Sequence, residues 1–203
     1  MDIKGGKSKV EENKQEKETK LLKAAFELFT EKGIKRTSVQ DIVDKAELAK
    51  GTFYLYFKDK YELQDHLIAN KSKQLFDDAL VALAKSEVSG FEKQLIFIID
   101  YVINALNKNR LLLKFISKNL SWGLYNEKLS KIVDDNALGV HQLFIDAVNQ
   151  YGIKLKNPGV TLYMIIELVS ATCFSSIINK QPLPIEEYKV YLYDAISKML
   201  KDE

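Results

Sequence analysis

Cysteine, proline and arginine are scarce in this 203-residue chain. The single cysteine, Cys173, excludes an internal disulfide framework and a multi-thiolate zinc site. Three prolines and nine glycines leave few breakers, which favours long helices over a turn-rich sandwich. Arginine stands only at Arg36 and Arg110, so 28 of the 30 basic residues are lysines and bidentate guanine readout by arginine is scarce. No apolar run near Met1 reads as a signal peptide, so a cytoplasmic location is expected. The longest apolar stretch, Leu162 to Ile178, carries Glu167 and four serine or threonine hydroxyls, and reads as a buried helix rather than a membrane span.

What is present is ordinary for a globular protein: 46% hydrophobic and 29% charged residues, with a net charge of +2. Residues 1–60 carry 14 basic and 11 acidic side chains, net +3, whereas residues 61–203 carry 16 and 17, net −1. The basic excess therefore sits at the amino end.

The hydrophobic pattern predicts an all-α chain of nine helices. Residues 1–12 lack an apolar period and read as the start of a flexible tail, taken to extend over 1–16. Asn13 and Glu16 form a capping-box signature for a first helix whose face is Leu21, Ala25 and Leu28 with Leu22, Phe26 and Phe29, ending at Gly33. Thr37 or Ser38, with Gln40 or Asp41, caps a second helix of about two turns. A third covers Lys50 to Phe57 with Phe53 and Phe57 inward, and Asp59 with Glu62 opens a fourth that reaches about Lys85. Further helices are expected from a Ser89–Glu92 cap, over about Arg110 to Leu120, from about Asn126 to Tyr151, from the Asn157-Pro158 start to about Asn179, and from Ile185 onward.

Two short helices separated by a tight turn and braced by a longer one have the proportions of a helix-turn-helix. The residues of the second are KGTFYLYFKDKYEL, Lys50 to Leu63, preceded by Gly33-Ile34-Lys35-Arg36-Thr37-Ser38-Val39-Gln40-Asp41-Ile42 and Ala46-Glu47-Leu48-Ala49. This stretch resembles the amino-terminal domain of the TetR family of bacterial repressors, over roughly residues 17–77. The resemblance implies a helix-turn-helix at about 38–57 and an effector-binding and dimerisation domain at 78–203. It implies a regulator of the repressor kind, released from operator DNA by a small-molecule effector and dimeric through its last two helices. It further implies DNA contacts from Ser38, Gln40, Lys50, Gly51, Thr52, Tyr54, Tyr56 and Lys60. Glu47 departs from the family pattern, standing where a turn glycine is usual, and Tyr56 replaces a frequent histidine.

For the effector, the aromatic and polar residues Tyr101, Phe115, Trp122, Tyr125, His141, Phe144, Tyr163 and Glu167 are the candidates. Trp122 lies in an irregular segment beside Gly123, and Glu167 is a lone carboxylate in an apolar helix. No cofactor, metal site or membrane association is expected. An enzyme is not expected either, because Cys173 lies in the most apolar helix without a neighbouring base. The competing reading is an all-helical small-molecule-binding protein whose helix-turn-helix no longer engages DNA.

Overall fold

The computed structural model describes residues 9–116 and 139–201, and every regular element among them is helical. The helices are α1 (Lys9–Lys32), α2 (Val39–Ala46), α3 (Lys50–Tyr54), α4 (Lys60–Ala84), α5 (Phe91–Lys108), α6 (Arg110–Ile116), α7 (Val140–Gln150), α8 (Pro158–Ile178) and α9 (Ile185–Met199). A 3₁₀ turn, Ile34–Arg36, lies between α1 and α2. The chain divides into two compact units, one up to Leu67 and one from Ile68 onward, with the boundary inside α4.

In the first unit, α1 buries Leu21, Ala24, Ala25, Leu28 and Phe29, the three- and four-residue spacing of one helix face. The helix is already running at Lys9, so residues 9–16 are helical and not tail, and Asn13 does not act as its cap. Glu16 instead pairs with Lys20 one turn on, at 2.8 Å. Gly33, at φ 80°, turns the chain after α1.

Ser38 caps α2 through a complete capping box. The Asp41 N–H donates to Ser38 Oγ at 3.1 Å, and the Ser38 N–H donates to Asp41 Oδ2 at 2.7 Å. The Ser38 N–H, then the Lys32 ammonium 3.0 Å away, hold the Asp41 carboxyl down at about 2. Thr37, the other cap candidate, is buried and donates its hydroxyl to the Gly33 carbonyl. Lys45 pairs with Glu27 at 2.9 Å, a second charged tie between α1 and α2.

Glu47 ends α2 in the left-handed conformation, φ 56° and ψ 43°. A side chain there costs about 1–2 kcal/mol against the right-handed region, while glycine's extra unfolded-state freedom costs about 0.5–1 kcal/mol. Glu47→Gly is therefore expected to raise stability by about 0.5–1 kcal/mol. Urea denaturation followed by circular dichroism checks this, and a loss of stability would show that Glu47 contributes a contact outweighing its backbone strain.

In the second unit, α5 starts after Gly90 at φ 89°, with no side-chain cap, so Ser89 does not play the role its sequence suggests. Asn157 does cap α8, its side chain accepting the Val160 N–H at 3.1 Å, and Pro158 follows in the first turn. α8 is long and apolar enough to cross a membrane by length and composition, and half of its most apolar window is buried against the protein. A polar cluster joins α5 to α9. The buried Lys189 ammonium lies 2.9 Å from Asp100 Oδ1, 2.6 Å from Asn104 Oδ1 and 3.1 Å from Glu186 Oε2. Asp100 also accepts from the Tyr193 hydroxyl at 2.6 Å and from the Asn104 amide at 2.8 Å.

Candidate nucleic-acid interface and ligand cavity

α3 is five residues long and ends at Tyr54, short of the expected Phe57. The backbone tightens there: the Leu55 N–H donates to the Thr52 carbonyl and the Tyr56 N–H to the Phe53 carbonyl, three residues back in each case. So short a helix is not stable alone and is held by its inward rings. Phe53 and Phe57 are 0% and 1% exposed, with centroids 5.8 Å apart, and Phe57 meets His66 of α4 edge-on at 5.2 Å.

Burying those rings turns the rest of α3 outward. Lys50, Gly51 and Tyr54 are exposed and Thr52 is half-buried. Ser38 and Gln40 are exposed at the start of α2, where Ser38 serves as the cap and the Gln40 amide donates to Asp44 at 2.7 Å. The other two members of the expected contact set have partners inside the chain. Tyr56 is half-buried and donates its hydroxyl to the Lys14 carbonyl of α1 at 3.0 Å. The Lys60 ammonium donates to the carbonyls of Ile34 at 2.9 Å and Thr37 at 2.8 Å. It thus ties the first residue of α4 to the chain leading into α2. Asp59 caps α4 as expected, accepting the Tyr61 and Glu62 N–H groups, while Glu62 reaches back to the Lys58 N–H.

Leu55, which sequence reasoning passed over, is 79% exposed. A helical period drawn through Phe53 and Phe57 marks the buried side of this segment but gives no reason to single out the apolar residue opposite them.

The second unit holds an apolar cavity of about 210 Å³. Its wall comes from α4 (Phe76, Leu80, Leu83), α5 (Phe91, Gln94, Leu95, Ile98), α7 (Val140, Leu143, Phe144, Ala147) and α8 (Leu162). A smaller cavity of about 70 Å³ adjoins it through Phe76, Leu95, Ile98, Val140 and Leu162. Of the effector candidates, Phe144 lines the larger cavity, its ring 5.6 Å from that of Phe91. Tyr101, Phe115, His141, Tyr163 and Glu167 do not line either cavity. Trp122 and Tyr125 lie outside the described residues. Gln94 supplies a polar side chain to the larger wall and accepts the Tyr151 hydroxyl at 3.1 Å. Cys173 is 2% exposed, and burial pushes its thiol up to about 12, the state of an inert structural cysteine.

Comparison with known proteins agrees with this arrangement. Residues 21–67 match the model of the bacterial regulatory proteins of the tetR family, a segment spanning the end of α1, the α2–α3 pair and the start of α4. The chain is 27% identical over 165 residues to the uncharacterized HTH-type transcriptional regulator YuxN of Bacillus subtilis, covering 77% of this chain and 53% of that one. The chain thus spans about half the length of that relative.

Two solved structures share the fold. A TetR family transcription regulator from Marinobacter aquaeolei superposes with a TM-score of 0.65 at 16% identity, over 95% of this chain and all of the other. The transcriptional regulator FadR from Bacillus subtilis, in complex with stearoyl-CoA, superposes with a TM-score of 0.60 at 19% identity, covering 88% and 96% of the two chains. The tetR family model thus matches the helix-turn-helix segment, which rests on a buried aromatic base, and these solved structures share the all-helical fold along most of the chain.

Proposed function

We propose that the chain is a DNA-binding transcriptional regulator, a repressor that leaves its operator when a small molecule occupies the second unit. The observation that carries this reading is the outward face of α3, where Lys50, Gly51 and Tyr54 stand clear of the protein while Phe53 locks the helix from behind. Tyr54, 54% exposed, offers an aromatic ring and a hydroxyl to base edges or phosphates. Ser38 and Gln40 at the start of α2 are the flanking polar contacts, with Thr52 beside them. Tyr56 and Lys60, engaged with main-chain carbonyls, act chiefly by fixing α3 and α4 within the module.

A second copy of the chain is the natural partner for the last two helices. α8 exposes Val160, Tyr163 and Met164, and α9 exposes Val190 and Tyr191, apolar surface that a dimer would cover. Two copies would present two recognition helices about 34–36 Å apart, one helical turn of DNA. The effector occupies the apolar cavity between α4, α5, α7 and α8 and is itself largely apolar. The stearoyl-CoA bound by FadR, a protein of the same fold, supports that choice. The site of action is the cytoplasm, where bacterial promoter DNA lies.

The test is a gel-shift assay with the duplex flanking the protein's own gene. The parent protein is expected to shift it. Tyr54→Ala is expected to weaken the shift about 5- to 150-fold, the range of one good base contact, at a cost in folding stability under about 1 kcal/mol. A shift unaffected by Tyr54→Ala would remove α3 from the interface.

A further inference from the structure

Leu55 is the most exposed large apolar side chain among the described residues, at 79%. Its backbone stays in the right-handed helical region, φ −76° and ψ −20°, so it continues the spiral of α3. It therefore stands about one turn beyond Gly51 and Thr52, on the side of α3 away from the buried Phe53. Gly51 is itself unexplained by the fold. Its backbone is not in the left-handed region, and a Cβ built on it meets nothing within 4 Å. A glycine in a helix is disfavoured relative to alanine, so a position with room for a methyl group and no unusual backbone angle gains nothing internally from lacking one.

We propose that Gly51 and Leu55 together read thymine. The thymine C5-methyl is the apolar group that base edges present in the major groove, and an exposed leucine is its natural counterpart. The bare Cα of Gly51, one turn earlier, lets the α3 backbone come close enough for the Leu55 methyl groups to reach it. Lys50 and Lys58, both exposed, bracket the leucine with positive charge, which suits a phosphate-lined groove better than an apolar protein partner. The inference rests on the DNA-binding reading and adds to it the base that this face selects.

The experiment begins with selection of bound duplexes from a random-sequence library by the full chain. Each thymine of the recovered site is then replaced in turn by deoxyuridine, which deletes the methyl group and leaves base pairing intact. At one position per half-site, uracil is expected to weaken the parent protein about fourfold, the worth of one buried methyl-sized group. Leu55→Ala should bind the thymine duplex more weakly and be indifferent to uracil at that position. Gly51→Ala should melt at a higher temperature than the parent yet bind every duplex less tightly. A parent protein insensitive to uracil throughout, a Leu55→Ala protein that keeps full sensitivity, or a Gly51→Ala protein with parental affinity overturns the proposal while leaving DNA binding in place. Failure to recover any duplex overturns the DNA-binding reading as well.

Discussion

Phe53→Ala is expected to cost the first unit about 3–5 kcal/mol, the usual loss for deleting a fully buried phenyl ring. Single domains are stable by about 5–15 kcal/mol in all, so this one change removes a large part of the margin. The ring is 0% exposed and touches Tyr54 at 5.4 Å and Phe57 at 5.8 Å between centroids. A five-residue helix has no stability of its own to fall back on once that anchor is gone. The informative comparison is with its near neighbour: Leu55→Ala, two positions on, is expected to fall within about 0.5 kcal/mol of the parent. Urea titrations of both variants, followed by circular dichroism, decide the matter. Similar losses at positions 53 and 55 would mean that α3 is rotated from the register described.

The second large effect is expected at Asp100. Removing its carboxylate in Asp100→Ala leaves the Lys189 ammonium, whose side chain is 10% exposed, facing only the Asn104 carbonyl and the well-exposed Glu186. Stranding a buried charge costs about 3–5 kcal/mol, and the 40% exposure of Asp100 reduces this to about 2–3 kcal/mol. Lys189→Met should cost less, about 1 kcal/mol, because Asp100 keeps the Tyr193 hydroxyl, the Asn104 amide and partial hydration.

The order of the two losses is the test, and a larger loss for Lys189→Met would contradict the argument. The cluster also carries a pH signature. Burial opposes ionisation of Asp100, but the Tyr193 hydroxyl and the Lys189 ammonium outweigh it and hold the carboxyl below its ordinary 3.8. A carboxyl depressed on folding stabilises the native state above its unfolded value, and that stabilisation is lost as pH falls through the folded one. The parent should therefore lose, below about pH 4, a component of stability that Asp100→Asn lacks.

Local chemistry was readable along the chain wherever one residue meets the needs of its own backbone. Ser38 and Asp41 close a capping box, Asn157-Pro158 starts α8, and Gly33 turns the chain after α1, all within a few residues of themselves. The inward pair Phe53 and Phe57 follows from spacing alone. The first helix shows how such a signature is overridden: Asn13 and Glu16 have the right types, but the helix runs through them from Lys9. At α5, Gly90 with its positive φ takes the boundary from Ser89.

The candidate site was harder to read, for two physical reasons. Lys60 and Tyr56 find their partners 23 to 42 positions away, separations at which no spacing rule operates. The cavity wall of Leu95, Ile98 and Leu162 has the same apolar character as the solid core, so a pattern that marks burial does not tell packed space from empty space. The aromatic and polar candidates Tyr163 and Glu167 lie on the apolar α8 but away from that wall.

Cys173 gives the molecule a built-in clock. It is the sole thiol of the chain and sits on the buried side of α8 with 2% of its surface exposed. An alkylating reagent can reach it only when the helix lifts, and in the lifted state the thiol regains its ordinary acidity and reacts. With reclosure fast, the labelling rate is the intrinsic thiol rate multiplied by the open fraction, so a mass spectrum taken over time reads the local opening free energy of α8 without denaturant. A small molecule that settles in the cavity that α8 helps to wall would slow that clock in proportion to its occupancy, which makes every unlabelled library compound its own assay.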